Sequence, residues 1–171
     1  MKVKTIDLEL AIMSSFDYRH NLIVHNISNM MGLVAFETDI LVLNKNNYAH
    51  GFEIKVSKAD LKADFKKPQH TELEVMRNGK FGYNRFFGKF KYFSYVVPES
   101  LKEIALELIP AFCGLYIYKN ITNPKHSWLD CERQPKILFN YKWTDEERYE
   151  VARLGTMRIF NLKQKIRTLL K

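Results

Sequence analysis

The chain has 171 residues, of which 46% are apolar and 13% aromatic, a composition that predicts one folded domain and argues against a disordered chain. Its formal net charge of +8 favours polyanionic partners such as nucleic acid, although a basic surface that serves only solubility would carry the same charge. The two cysteines lie outside any CxxC pair, and no apolar run approaches the ~18 residues that span a bilayer, which argues against a zinc cluster and a membrane helix. Because acids interrupt the N-terminal MKVKTIDLEL, we expect a soluble, cytoplasmic protein without a signal peptide or a membrane partner.

The first half of the chain predicts a helix, three strands and a second helix. Helical periodicity spans residues 4–18, although the alternation in TIDLEL leaves a short strand open there. The buried face of this helix is expected to contain Ile6, Leu10, Met13 and Phe16. Strands are predicted at residues 21–27, 36–44 and 49–57. The last two are joined by NKNNY, which fits a hairpin turn, and Ser57 is a predicted N-cap for a helix that ends before Pro68.

The second half of the chain predicts further strands and helices on the same sheet. Residues 67–90 lack periodicity and are expected to form a long loop. A strand, a helix and two more strands are predicted, in this order, at residues 91–98, 99–108, 112–119 and 135–141. Thr144 and Glu147 form a T-x-x-E capping box, which predicts a long C-terminal helix. This order predicts an α/β fold with a mixed sheet covered by helices.

Alternation along the third predicted strand sorts its side chains onto two faces. The face expected to pack into the core carries Phe52, Ile54 and Val56. Glu53 and Lys55 share the other face, and Asp39 lies beside Glu53 if the second and third strands pair. Two adjacent carboxylates both stay ionised only with a cation between them, and Mg²⁺ prefers such oxygen ligands. Lys55 could then orient a water or stabilise charge on a phosphate. The alternative interpretation is an exposed sheet face with a Glu–Lys pair, since E-x-K is a common pattern.

The segment TDILVLNKNNYAHGFEIK resembles the signature of the PD-(D/E)XK nuclease superfamily, with Asp39, Glu53 and Lys55 as its D, E and K. Thr38 stands in place of the proline that precedes the aspartate in that signature. The longer pattern EIKVSKADLKADFKK, followed by YFSYVVPESL and CGLYIY, is similar to bacterial and phage members related to the MmcB-like proteins proposed as DNA-repair nucleases. The resemblance covers about residues 5–120 of a single domain spanning 1–171, with 135–170 as an appendage. It implies a restriction-endonuclease-like αβββαβ core, in which helices flank a mixed central sheet.

The resemblance also implies an activity, a metal and a set of site residues. The activity is that of a metal-dependent DNA endonuclease in repair, recombination or phage DNA processing, and the alternative is a catalytically inactive nucleic-acid-binding module. The metal, Mg²⁺ or Mn²⁺, would be held by Asp39, Glu53 and the backbone carbonyl of Ile54. Glu9 resembles in position the first-helix glutamate of Holliday-junction resolvases, which joins the metal site, although a glutamate that reaches water explains it equally well; Glu37 is another candidate ligand. Many nucleases of this kind pair two sites to cut two strands, so a homodimer through the C-terminal helix is compatible with the resemblance.

Basic residues are concentrated in residues 55–91, which hold ten Lys and Arg against four Asp and Glu. On the second helix lysines recur every four residues, so they could contact DNA phosphates in a row. These lysines are Lys58, Lys62 and Lys66. In the predicted loop, cations alternate with aromatic residues, which suits a single strand or a distorted duplex. The candidate contacts there are Arg77, Lys80 and Arg85. A solvated helix face and aromatic core residues are the structural alternatives.

Overall fold

The computed structural model of the protein describes residues 3–28, 33–34, 36–65, 89–119 and 128–170. Four α-helices lie in this part of the chain: α1 (Thr5–Ser15), α2 (Lys58–Asp64), α3 (Lys102–Leu108) and α4 (Asp145–Leu169). Six strands accompany them: β1 (Leu22–Ile27), β2 (Thr38–Leu43), β3 (Ala49–Ile54), β4 (Phe90–Pro98), β5 (Gly114–Lys119) and β6 (Trp128–Arg133). A short 3-10 turn, Glu99–Leu101, leads into α3.

The six strands form one mixed sheet in which every strand lies beside its neighbours in sequence, in the order β1-β2-β3-β4-β5-β6. The pairs β1–β2, β2–β3 and β5–β6 are antiparallel, whereas β3–β4 and β4–β5 are parallel. A parallel connection needs a crossover, and the two crossovers contain α2 and α3. The predicted α/β fold with a mixed sheet and flanking helices is therefore confirmed.

Helices cover both faces of the sheet, so that two apolar clusters lie on its two sides. On one face α1 packs against side chains of β2, β3 and β4, including Ile40, Phe52 and Val96. On the other face a larger cluster contains Leu61 of α2, Ala105 of α3 and Val151 of α4. Because side chains alternate along a strand, Glu53 points away from the cluster of Phe52 and toward the face that carries α2.

The predicted buried face of α1 is wrong for Ile6 and Leu10, whereas Phe16, just after the helix, packs against Phe52 on the sheet as predicted. Ile6 and Leu10 are 55% and 56% exposed, and the buried residues of the helix are Leu8, Ala11 and Ile12. The helix carries apolar residues around most of its circumference, so its periodicity does not single out one face. Contact with the sheet decides the orientation instead. The alternative of a short strand at TIDLEL is also wrong, because these residues are helical.

The last predicted strand is wrong as well. Residues 135–141 form no strand, and the strand that pairs with β5 is β6, Trp128–Arg133. Pro135 has no N–H to donate at the start of the predicted segment, and Ile137 is largely exposed. The segment is attached by single backbone hydrogen bonds: the N–H groups of Lys136 and Leu138 donate to Phe112 and Lys91.

The predicted helix starts are confirmed by their caps. The Ser57 hydroxyl accepts the Asp60 N–H at 3.1 Å, and the Thr144 hydroxyl accepts the Glu147 N–H at 3.1 Å. Glu147 completes the capping box by accepting the Thr144 N–H at 2.8 Å. Within the described part of the chain, no helix has the length and apolar character needed to cross a bilayer.

Candidate active site

The pairing of β2 with β3 sets the position of the two candidate metal-binding carboxylates. Ile40 lies opposite Phe52 in this antiparallel pair, so the same register places Asp39 opposite Glu53. Asp39 also accepts a hydrogen bond through Oδ2 from the N–H of Ile54, at 2.7 Å. The hairpin thus brings together the carboxylates that the sequence pattern selected, and it fixes one of them on the backbone at the end of β3.

Lys55 follows β3 directly and is held on the same side as Glu53. Its N–H donates to the Val96 carbonyl at 3.1 Å, which extends the parallel pairing with β4 by one residue. Its ammonium lies 2.7 Å from Oε1 of Glu53, and both residues are only 4% exposed. The Glu–Lys pair is therefore enclosed by the fold, and does not lie on an open sheet face.

Asp64 of α2 is a further member of this cluster, and sequence reasoning missed it. Its Oδ1 lies 3.0 Å from the Lys55 ammonium, and its Oδ2 accepts the hydroxyl of Tyr95 at 3.1 Å. The residue is 1% exposed. The helix pattern places Asp64 opposite the lysines of α2, and its spacing of three from the buried Leu61 was the signal that it faces the protein.

The environment of Glu53 disfavours its charged form. Burial is the largest cause that raises the pKa of Glu53, the charges of Asp39 and Asp64 add to it, and Lys55 opposes it; the resulting pKa is about 7. For Lys55, burial acts to lower the pKa, but the adjacent carboxylates of Glu53 and Asp64 outweigh it and raise the pKa. The site therefore combines a firmly cationic lysine with a carboxyl group that is readily protonated near neutral pH.

A hard divalent cation fits the chemistry of these donors. Within the described ranges, no group of three or more His, Cys, Asp or Glu side chains has the arrangement of a complete metal site. Two carboxylates and a backbone carbonyl are nevertheless oxygen donors, and Mg²⁺ commonly keeps several waters and takes few protein ligands. A cation between Asp39 and Glu53 would also offset the repulsion and burial that raise the pKa of Glu53.

The structure does not bring Glu9 to this cluster. Its Oε1 lies 3.7 Å from Nδ1 of His25, and α1 packs on the sheet face opposite to Lys55 and α2. The position of Glu9 therefore gives no support to its predicted role as a metal ligand. Glu37, the other candidate, is exposed just before β2.

Only part of the predicted DNA-binding set can be located. Lys58 and Lys62 are exposed on α2, within one or two turns of the buried Asp64. The remaining candidates lie outside the described residues: Lys66, Arg77, Lys80 and Arg85. Lys58 and Lys62 are thus exposed to solvent on the same helix whose Asp64 contacts Lys55.

Comparison with known proteins gives a fold but no activity. No protein-family model matches the chain, and no curated protein matches it. Among solved structures, a protein of unknown function from Silicibacter pomeroyi is similar, with a TM-score of 0.59 and 17% sequence identity. The similarity covers 98% of this chain and 94% of that one. At this identity the likeness extends to the fold alone.

Proposed function

We propose that the protein is a metal-dependent DNA endonuclease of the PD-(D/E)XK kind, acting in DNA repair, recombination or phage DNA processing in the cytoplasm. One observation carries the proposal. The buried Glu53, whose pKa is raised to about 7, lies opposite a second carboxylate, Asp39, in the register of β2 and β3, and 2.7 Å from the ammonium of Lys55. Strongly perturbed pKa values cluster at functional sites, which supports a catalytic role for this group.

Each residue of the cluster has a distinct role in this proposal. Asp39 and Glu53, with the carbonyl of Ile54, would hold Mg²⁺ or Mn²⁺, which when bound supplies Lewis-acid activation of the scissile phosphate. Lys55 would orient the attacking water or stabilise negative charge on the phosphate, for which an ammonium held within a closed site is well suited. Lys58 and Lys62 would contact the DNA backbone beside the scissile bond.

The test is cleavage of plasmid, single-stranded, flap and four-way-junction DNA by the purified chain with Mg²⁺ or Mn²⁺. We expect Lys55→Ala and Asp39→Asn each to lower the cleavage rate by about 10²-fold or more, the range for loss of one catalytic group. Lys119→Ala is the matched control, because Lys119 pairs with Asp130 on a partly exposed surface of β5, two strands away from β3. Residual cleavage that is equal in wild type and all variants would show a contaminating nuclease and reject the assignment.

A catalytically inactive nucleic-acid-binding module is the second candidate, and one feature favours it. Lys55 is held by both Glu53 and Asp64, which is the arrangement of a structural ion-pair network. This alternative predicts salt-dependent DNA binding that neither chelation of metal nor substitution of Lys55 changes. Fluorescence anisotropy with labelled duplex and single-stranded DNA, with Mg²⁺ and with a chelator, separates the two functions.

A further inference from the structure

The C-terminal part of α4 exposes apolar side chains in a regular pattern. Residues 156–170 are exposed without interruption, which is about four turns of helix. Four large apolar side chains recur there at spacings of three, four and three residues, and they are 58%, 58%, 46% and 85% exposed. We call this row the C-terminal seam: Ile159, Leu162, Ile166 and Leu169.

The C-terminal seam continues the face that α4 already uses for packing. One and two turns earlier, the same row carries the small residues Gly155 and Ala152, and this part of the helix lies against β1. A Cβ on Gly155 would lie 3.3 Å from Val24, and the Arg158 guanidinium donates to the Asn26 carbonyl at 2.8 Å. Residues in the row are thus small where β1 lies against them and large beyond that contact.

The spacing of the C-terminal seam indicates what kind of surface it fits. Apolar residues at alternating spacings of three and four are the a and d positions of a coiled coil, and Ile at a with Leu at d favours a two-stranded pair. Phe160 and Met157 lie off this row, so the row itself stays narrow. A narrow seam fits one partner helix better than a membrane surface, which takes a broader apolar face.

The charges beside the C-terminal seam indicate what kind of helix it fits. Residues 151–171 contain six Lys and Arg and no Asp or Glu. Arg158, Lys163 and Lys165 occupy the flanking e and g positions, where charged pairs across a coiled coil form. In a pair with a second copy of this chain, these flanks would meet as like charges in either orientation. DNA would match the charge but would leave the four apolar side chains in water.

We propose that the C-terminal seam is the docking site for a helix of a partner protein, with apolar residues at its a and d positions and Asp or Glu beside them. The apolar row supplies the buried contact and the basic flanks select an acidic partner. The docked helix covers the part of α4 that β1 leaves exposed.

The probe for this proposal is a designed four-heptad peptide with Ile and Leu at a and d and Glu at e and g, and its counterpart with Lys at e and g. In calorimetric titration of the full chain, we expect one acidic peptide per chain and an affinity for the Lys peptide at least about tenfold weaker. The affinity for the acidic peptide should fall when salt rises from about 0.05 to about 0.3 M.

Two matched variants locate the binding on the helix. Ile166→Ser removes a seam residue and should weaken binding of the acidic peptide by about tenfold or more, whereas Phe160→Ser, on the same helix but off the seam, should leave it unchanged. Circular dichroism of both variants checks that helix content is retained.

Four results would overturn the proposal. The first is no binding of the acidic peptide, and the second is equal binding of both peptides. The third is a dimer of the chain alone, seen by light scattering and dissociated by Ile166→Ser, since a second copy would then occupy the C-terminal seam. The fourth is Ile166-dependent sedimentation with phosphatidylserine-containing vesicles, since the occupant would then be a lipid surface.

Discussion

The candidate active site buries charged side chains, whereas the end of α4 exposes apolar ones. Both depart from the usual arrangement, in which apolar residues are buried and charged residues are exposed. At the site, Glu53, Lys55 and Asp64 are buried, although charged side chains are almost always at the surface unless paired. Along the C-terminal seam, large apolar side chains are exposed. The buried charges contact one another at 2.7 and 3.0 Å, whereas the apolar side chains of the seam are 46–85% exposed. Substitution should therefore destabilise the fold strongly at the site and hardly at all at the seam.

The largest expected effect comes from removing the Lys55 ammonium, which lies 2.7 Å from Glu53 and 3.0 Å from Asp64. Lys55→Met leaves these carboxylates buried without the ammonium, and loss of one partner from a buried ion pair typically lowers the free energy of unfolding by about 3–5 kcal/mol. Urea denaturation measures this loss. Lys119→Met, which breaks the partly exposed pair with Asp130, should change the free energy of unfolding far less. Equal losses in the two variants would contradict the contrast between buried and exposed pairs.

The second effect is a dependence of stability on pH. Because the fold raises the pKa of Glu53 from 4.5 to about 7, the folded state holds this proton more tightly than the unfolded chain does. The stabilisation is complete below pH 4.5 and is lost as pH rises toward about 7, with a total change of at most about 3 kcal/mol. Denaturation series across this range should show a slope that Glu53→Gln removes. Glu132→Gln, which removes a partly exposed pair with Lys102, is the control that should keep the slope.

The third effect compares the two halves of α4. Val151 is fully buried, so Val151→Ala should lower the free energy of unfolding by about 2 kcal/mol through lost packing. Leu162 is 58% exposed in the C-terminal seam, and Leu162→Ala should change the free energy by no more than about 0.5 kcal/mol. Thermal or urea unfolding of the two variants measures the difference. A large loss on Leu162→Ala would mean that the seam is already covered in the free protein.

The smallest effect tests the contact that holds Asp64. Tyr95→Phe removes the hydroxyl that donates to Oδ2 of Asp64 and should lower the free energy of unfolding by about 1 kcal/mol. The same change at Tyr149, which is exposed on α4, should have no measurable effect. Identical midpoints for Tyr95→Phe and wild type would show that the hydroxyl does not support the site.

Local signals in the sequence were sufficient for the hairpin that carries the candidate site. Alternation in β2 and β3, together with an asparagine-rich turn, predicted that Asp39 and Glu53 lie side by side. The capping signals at Ser57 and Thr144 predicted two helix starts, because a cap is formed by residues only three positions apart. Each of these features depends on neighbours in sequence, and the structure contains all of them.

Features that depend on distant contacts were not predictable in the same way. The buried face of α1 is decided by the sheet beneath it, and its sequence is apolar on several sides. The strand at 128–133 was missed because WLDCER carries charges, while the apolar segment after Pro135 imitated a strand. Asp64 was not assigned to the site, since only the fold shows that Lys55 and Tyr95 lie beside it.

Hydrogen bonds from Trp143 and Arg148 attach the C-terminal part of the chain to the hairpin of the site, and this attachment forms late in synthesis. The Trp143 N–H donates to the carbonyl of Asn47 and its indole to that of Lys89, both at 2.8 Å, and Arg148 donates to Asn44, 104 positions earlier. The bonds to Asn47 and Asn44 attach the C-terminal segment to the turn of the hairpin that carries Asp39 and Glu53. A ribosome adds roughly 5–20 residues per second, so the hairpin is made roughly 5–20 s before the residues that fasten it. The nascent chain therefore carries its candidate catalytic groups on a hairpin that lacks these bonds until Trp143 and Arg148 have been added.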